Sequence, residues 1–218
     1  MTADRFRAKR AVREAACRAI TRLPAETREK ADALLAARLT ALPEWSIATS
    51  LLAYLAMPDE VATDLIVRAA FEAGKRLYLP RVAGGRMTFH LVDSSDEIAQ
   101  FRRHRYGMLE PPETAPRWSP ARDELESAAA RSRAVPEGRG HALIVCPGRA
   151  FDRTGRRLGR GGGFYDRFLS GLGTGPARGR TSIVGIAYEV QIVDEVPVAE
   201  DDVAMSIVVT ERSTLRFD

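Results

Sequence analysis

Lysine is nearly missing from this chain: Lys9, Lys30 and Lys75 stand alone among 33 basic residues, and arginine supplies the rest. Such a bias follows from a GC-rich coding sequence as readily as from a polyanion-binding surface. No RNP, KH or zinc-finger pattern accompanies it and acids are interleaved, so nucleic acid is not the expected partner. Cysteine is scarcer still. Cys17 and Cys146 are far apart, without CxxC or His spacing, which excludes a disulfide framework and a structural zinc. Cys146, inside "HALIVCP", reads as a small hydrophobe. No run approaches the roughly eighteen consecutive apolar residues of a membrane span. The opening "MTADRFRAKRAVREAACRAI" is charged from its fourth residue and lacks the apolar centre of a signal peptide. A cytoplasmic protein without membrane contact is expected.

What is present suffices for a core. With 218 residues, 45% hydrophobic and 28% charged, the chain is expected to form one domain over residues 1–218. Its formal charge of +4 favours anionic partners.

Apolar spacing predicts helices over 4–23, stopped by Pro24, and over 26–42, stopped by Pro43. "IATSLLAYLAM" reads as a buried strand. "DEVATDLIVRAAFEAGK" reads as a helix capped by Asp59 and ended by Gly74, and "RLYLPRV" closes a β-α-β unit. "MTFHLV", entered through "AGGR", and the unbroken apolar "HALIVCP" are further strands. Residues 111–140, rich in Pro, Ala and charge, read as an extended loop with one short helical piece. A helix around 164–172 and strands "SIVGIAYE" and "MSIVVTE" complete the pattern. This alternation predicts an α/β fold, a largely parallel sheet flanked by helices in a Rossmann-like three-layer arrangement, with ligands beyond the carboxyl ends of the strands.

"CPGRAFDRTGRRLGRGGGFYDRF" begins at such a strand end, and it contains "GRRLGRGGGFYDRF", residues 155–168. It is neither GxGxxG, because Phe164 stands where the third glycine would fall, nor a P-loop, because no GK[ST] follows. Gly159, Gly161, Gly162 and Gly163 nevertheless allow backbone N–H groups to turn toward one point ahead of a helix, with Arg157 and Arg160 adding charge. A flexible arginine-rich loop is the alternative.

"PGRAFDRTGRRLGRGGGFYDRFL" resembles the signature of the 5-formyltetrahydrofolate cyclo-ligases, also called methenyltetrahydrofolate synthetases. The resemblance extends to "KRAVR", "YLAMPDEVATDLIVRAAFEAGKRLYLPRV", "YGMLEP", "AYEVQIVDEVPVAEDD" and "IVVTE", in order, over nearly the whole chain. It implies an enzyme that uses ATP and Mg²⁺ to convert 5-formyltetrahydrofolate to 5,10-methenyltetrahydrofolate; small-molecule partners and a monomer are expected. The resemblance places Lys9, Arg10 and Arg13 on ATP, together with Arg157, Leu158, Gly159, Arg160, Gly161, Gly162, Gly163, Phe164 and Tyr165. It places Leu55, Glu60 and the stretch from Arg160 to Phe164 on the folate, Arg160 and Tyr165 at the chemistry, and Asp166 on the metal.

Each of these residues also has an ordinary use. Lys9 and Arg13 share a helix face at i, i+4 and could form a solvated basic surface. Asp166 and Glu60 could be acids at helix starts, and Tyr165 a core ring. Three positions depart from the resemblance. Phe164 replaces a tyrosine, Gly162 stands where some members carry lysine, and Ser206 is read as standing where members often carry a second metal-side aspartate. A relative that binds folate or nucleotide without turnover is the alternative these departures suggest.

Overall fold

A computed structural model describes residues 3–104, 107–120, 140–173, 179–199 and 202–217. Helices α1 (Ala3–Thr21), α2 (Ala25–Thr40) and α3 (Pro43–Ile47) lead into strand β1 (Ser50–Leu52). Helix α4 (Asp64–Glu72) carries the chain to β2 (Arg76–Ala83), which turns through Gly84 and Gly85 into β3 (Arg86–Val92). A short α5 (Ser95–Ile98) and the strands β4 (Arg102–Arg103) and β5 (Leu109–Glu110) follow. Next come β6 (Ala142–Cys146), β7 (Ala150–Asp152), β8 (Arg157–Leu158), α6 (Phe164–Ser170), β9 (Thr181–Ile186), β10 (Ile192–Val193), β11 (Ile207–Val209) and β12 (Thr214–Arg216).

A seven-stranded sheet in the order β12-β11-β9-β6-β1-β2-β3 forms the middle layer, parallel from β11 to β2 with an antiparallel strand at each edge. Side chains alternate across it, as period two demands. Leu51, Leu143, Val145, Val184 and Val209 meet Leu35 and Leu39 of α2 and Ile66 of α4 on one face. Leu52, Ile144, Cys146, Ile183 and Val208 meet Phe151 of β7 and Leu169 of α6 on the other. Being buried on both faces, the central strands need no polar alternation, which is why "ALIVC" of β6 is continuously apolar. The expected α/β architecture is thus the observed one.

Several local expectations need correction. The strand read from "IATSLLAYLAM" shrinks to three residues, because the chain turns toward the site after Leu52. Pro43 does not merely end α2; it occupies the first turn of α3, where a missing N–H costs nothing. Helix α4 starts at Asp64 after Thr63, not at Asp59, so Asp59 caps nothing. Thr63 itself donates its hydroxyl to the Tyr54 carbonyl at 2.5 Å rather than capping. The β7–β8 hairpin, which pairs with β10 in a second small sheet, was not anticipated. Of the predicted loop at 111–140, residues 121–139, and with them its short helical piece, lie outside the described residues.

Candidate active site

The chain leaves β1 toward β2 on one side and pairs it with β6 on the other, so the carboxyl ends of β1 and β6 diverge into a crevice. Parallel sheets bind ligands at such a switch point. Here the crevice is a cavity of about 280 Å³, with Tyr54 and Leu55 following β1 on one wall and Pro147 and Gly148 following β6 on another. The β7–β8 hairpin and the glycine loop from Gly159 to Gly163 roof it, and the start of α1 closes it with Phe6, Lys9 and Arg13. Gly161 has φ +105° and Gly163, the residue before α6, has φ +63°, values that an L side chain resists.

Charge in the cavity is organised in pairs. Arg157, whose side chain is 3% exposed, donates from Nη2 to Asp166 Oδ1 at 2.7 Å and from Nη1 to the Pro147 carbonyl at 3.1 Å. Its guanidinium lies 5.4 Å from the centre of the Tyr165 ring. Lys9, only 9% exposed, donates to Asp202 Oδ2 at 2.6 Å, and Arg13 Nε donates to the Gly159 carbonyl at 2.8 Å, so α1 is tied to the loop. Burial lowers the Arg13 pKa, with Asp202 opposing. Arg160 reaches across the cavity, Nε to Glu60 Oε1 at 2.9 Å and Nη2 to Asp59. Burial alone would lower the pKa of Arg160, but Glu60 and Asp59 outweigh it and hold it above the ordinary value.

Two buried polar atoms, Tyr165 Oη and Arg157 Nε, have no partner among the described residues. An unsatisfied buried donor is costly, and both belong to residues that line the cavity, as Arg81 Nε and Trp118 Nε1, likewise without a partner, do not. Burial pushes the Tyr165 phenol well above its usual pKa, with Cys146 and Glu60 adding, so the group is a neutral donor. Its ring also packs edge-on to Phe89 at 6.3 Å, so the residue both joins the core and lines the cavity.

The loop carrying Asp59 and Glu60 is pinned from behind. Arg28 Nη2 donates to the Pro58 carbonyl at 2.8 Å, and Asp32 Oδ1 accepts from Ala62 N at 3.2 Å and from Tyr188 Oη at 2.7 Å. Gln191 holds the chain after β6, donating to the Gly148 and Arg149 carbonyls at 2.7 and 3.2 Å.

A sequence model of the 5-formyltetrahydrofolate cyclo-ligase family matches residues 5–211. The chain belongs to that family. Mouse 5-formyltetrahydrofolate cyclo-ligase is 29% identical over 208 residues, 94% of this chain and 95% of the mouse protein. The Escherichia coli K12 cyclo-ligase is 30% identical over 191 residues, covering 86% and 92% of the two chains. The NMR structure of Aquifex aeolicus 5,10-methenyltetrahydrofolate synthetase superposes with a TM-score of 0.73 at 26% identity, covering 95% of this chain and 92% of that one. The protein is an enzyme of the cyclo-ligase type.

Of the residues that the cyclo-ligase resemblance assigns to ATP, folate, the chemistry or the metal, all but Arg10 line the cavity. Leu55, Glu60, Lys9, Arg13 and the run from Arg157 to Asp166 converge there. Arg10 does not. Its side chain is 71% exposed on the outer face of α1, paired with Glu14 at 2.7 Å, because neighbouring helix positions point about 100° apart. Ser206 is also displaced from its expected role. It precedes β11 at the amino end of the sheet, where its N–H donates to the Ile183 carbonyl and its carbonyl accepts from Phe217, away from the glycine loop. The carboxylate which that segment brings to the cavity is Asp202, four residues earlier. Asp59 and Arg149 were missed because nothing local distinguishes them: their partners lie 90 residues apart in the chain.

Among the described residues, no group of three or more His, Cys, Asp or Glu could cage a metal. Asp166 and Asp202 line the same cavity, and Arg157 occupies only Oδ1 of Asp166. No helix among the described residues is long and apolar enough to cross a membrane.

Proposed function

We propose that this enzyme uses ATP to cyclise 5-formyltetrahydrofolate to 5,10-methenyltetrahydrofolate, releasing ADP and phosphate. The supporting observation is that a single cavity holds a buried carboxylate, Glu60, and, around it, the converging cations Lys9, Arg13, Arg157 and Arg160. A pterin offers N–H groups in a fixed plane, and a nucleoside triphosphate offers phosphate oxygens; this cavity has acceptors for the first and donors for the second. Glu60 accepts from Met57 N at Oε2 and from Arg160 at Oε1, one bond per oxygen, so each keeps a lone pair for a pterin N–H. Leu55 and the Phe164 ring flank the pterin faces.

In this reading Lys9, Arg13, Arg157 and the glycine loop from Leu158 to Gly163 hold the triphosphate against the formyl group. The formyl oxygen attacks the γ-phosphorus and the bond to ADP breaks. The carbon, now carrying a phosphate leaving group, is attacked by N10; the C–O bond breaks, phosphate departs with the formyl oxygen, and the N10 proton is lost. Phosphoryl transfer asks for positioning and charge stabilisation rather than covalent help. Arg160 and the neutral Tyr165 hydroxyl supply that to the transferring oxygens.

The donor set fits Mg²⁺ arriving with the nucleotide, since that ion takes one or two carboxylates plus phosphates and keeps several waters. Asp166 would hold it from the loop side, and when bound it would neutralise charge between the phosphates and the formyl oxygen. The reading takes the enzyme as a monomer acting on small molecules in the cytoplasm, and the thiols Cys17 and Cys146, which form no disulfide, suit that reducing compartment.

Incubating the protein with ATP, Mg²⁺ and 5-formyltetrahydrofolate while following the near-ultraviolet absorbance of the methenyl product tests the reading. Product with equimolar ADP is expected. Folate binding without product would make the chain a non-catalytic relative.

A further inference from the structure

Arg160 has a long, flexible side chain that is 39% exposed on a glycine-rich loop, yet it is held in one orientation. Nε and Nη2, which lie along one edge of the guanidinium, are taken by Glu60 and Asp59 respectively. Nη1, at the other end of the plane, has no hydrogen bond among the described residues. Two-point contact on one edge fixes the plane and presents the opposite end to the cavity.

Asp59 is itself immobilised. Its second carboxylate oxygen accepts from Arg149 Nη2, and Arg149 Nη1 donates to the Asp59 carbonyl at 3.1 Å. Arg149, 9% exposed at its side chain, is locked in turn. Its N–H donates to the Leu158 carbonyl at 2.7 Å and its carbonyl accepts from Gln191 at 3.2 Å. The chain Arg149–Asp59–Arg160 therefore runs from the base of the β7–β8 hairpin, across the loop after β1, to the tip of the glycine loop. Burial would raise the Asp59 pKa, but the two arginines outweigh it and hold the carboxylate ionised.

We propose that Asp59, clamped by Arg149, is a positioning residue for phosphoryl transfer, orienting Arg160 so that its free end meets the transferring phosphoryl group. Glu60 alone would leave Arg160 free to rotate about a single contact. Asp59 touches neither substrate in this reading; it acts through Arg160. The inference rests on the proposed reaction and refines it by dividing the two adjacent acids: Glu60 serves both the pterin and Arg160, whereas Asp59 serves the arginines alone.

A double-mutant cycle on the full-length enzyme tests this, with kcat and the KM for each substrate measured alongside the thermal midpoint. Asp59→Asn is expected to lower kcat by about 10- to 100-fold, because a misoriented group loses most of its effect on a transition state, while the KM for 5-formyltetrahydrofolate stays within about twofold. Arg160→Ala is expected to lower kcat by about 10²–10³-fold. Adding Asp59→Asn to Arg160→Ala should then change kcat by less than about twofold, because two residues acting as one unit are not additive. Should Asp59→Asn fail to fold, Asp59→Glu takes its place, keeping charge toward both arginines but displacing Arg160 by a methylene, with the same non-additivity expected. Equal losses in the parent and Arg160→Ala backgrounds would overturn the positioning role, as would parental kcat in the Asp59 variant or in Arg160→Ala. A parent enzyme that forms no methenyl product would instead overturn the functional reading and the positioning role together.

Discussion

The two faces of the central sheet are filled by different means. On the α2–α4 face, long helices lay aliphatic side chains such as Leu35, Leu39 and Ile66 against the strands, and the layer coheres by area removed from water. On the α6 face the packing is more aromatic, with Phe89, Trp118 and Phe151 beside Leu169, and the elements that supply it are a hairpin, a glycine loop and a seven-residue helix, tied together by polar groups as well. Asp152, 1% exposed, shows how: Oδ1 accepts from Thr154 N, Thr154 Oγ1 and Arg156 N, and Oδ2 from Val196 N at 3.0 Å. Burial would raise its pKa, yet these bonds outweigh it and hold the carboxylate below its ordinary value. The difference teaches where chemistry can reside. Aliphatic packing tolerates no ligand, whereas a face assembled from directional bonds around short elements leaves a cavity and unpaired donors at its edge.

Substitutions on the two faces should therefore separate stability from activity. The largest effect is expected from Leu39→Ala, which removes a fully buried side chain and should cost about 2–5 kcal/mol of unfolding free energy by denaturant titration. Its KM values should be those of the parent, and a changed folate KM would break the separation. Glu60→Gln comes next, with the opposite signature. Turning a charged acceptor into a half-donor should weaken folate binding by about 1.5–3 kcal/mol, or about 10- to 100-fold by calorimetry, with ATP affinity retained. Unchanged folate affinity would return Glu60 to holding Met57 and Arg160. The smallest effect is expected at Arg10→Ala, beside Lys9 but outside the cavity: the ATP KM and melting temperature should match the parent, whereas Lys9→Ala should raise the ATP KM. Equal effects at the two positions would contradict the placement of α1 against the glycine loop.

The parts of the fold legible in sequence were those with a strong local signal. "ALIVC" read correctly as a strand because a strand buried on both faces is apolar throughout, "RLYLPRV" because its apolar centre follows a helix and a Gly, and α1 and α2 because each is a long run without Gly or Pro, bounded by Pro24 and Pro43. The β7–β8 hairpin escaped, since β8 is two residues long and owes its pairing to Phe151 packing on the sheet rather than to any propensity of its own. The expected start of helix α4 falls four residues early, because Asp59 looks like a cap wherever a helix follows, and only the fold sends it to Arg149 instead.

At the site the same division holds. The glycine run and its arginines are contiguous, so their convergence on one point could be read from the chain, as could the shared face of Lys9 and Arg13. Which acid answers which cation could not. Lys9 meets Asp202 across 193 residues, and Arg160 meets Glu60 across 100. Such pairs carry no spacing signal, because a long-range ion pair is specified by where two strand ends and a helix are brought together, not by anything either residue does to its neighbours. By itself the sequence determined the α/β alternation, the placement beyond β6 of the segment that carries the glycine loop, and the family to which that segment points. Only the tertiary structure decided that Asp202 rather than Ser206 faces the cavity, that Arg10 does not, and that Asp59 holds Arg160, since each depends on the direction of a side chain relative to elements distant in the chain.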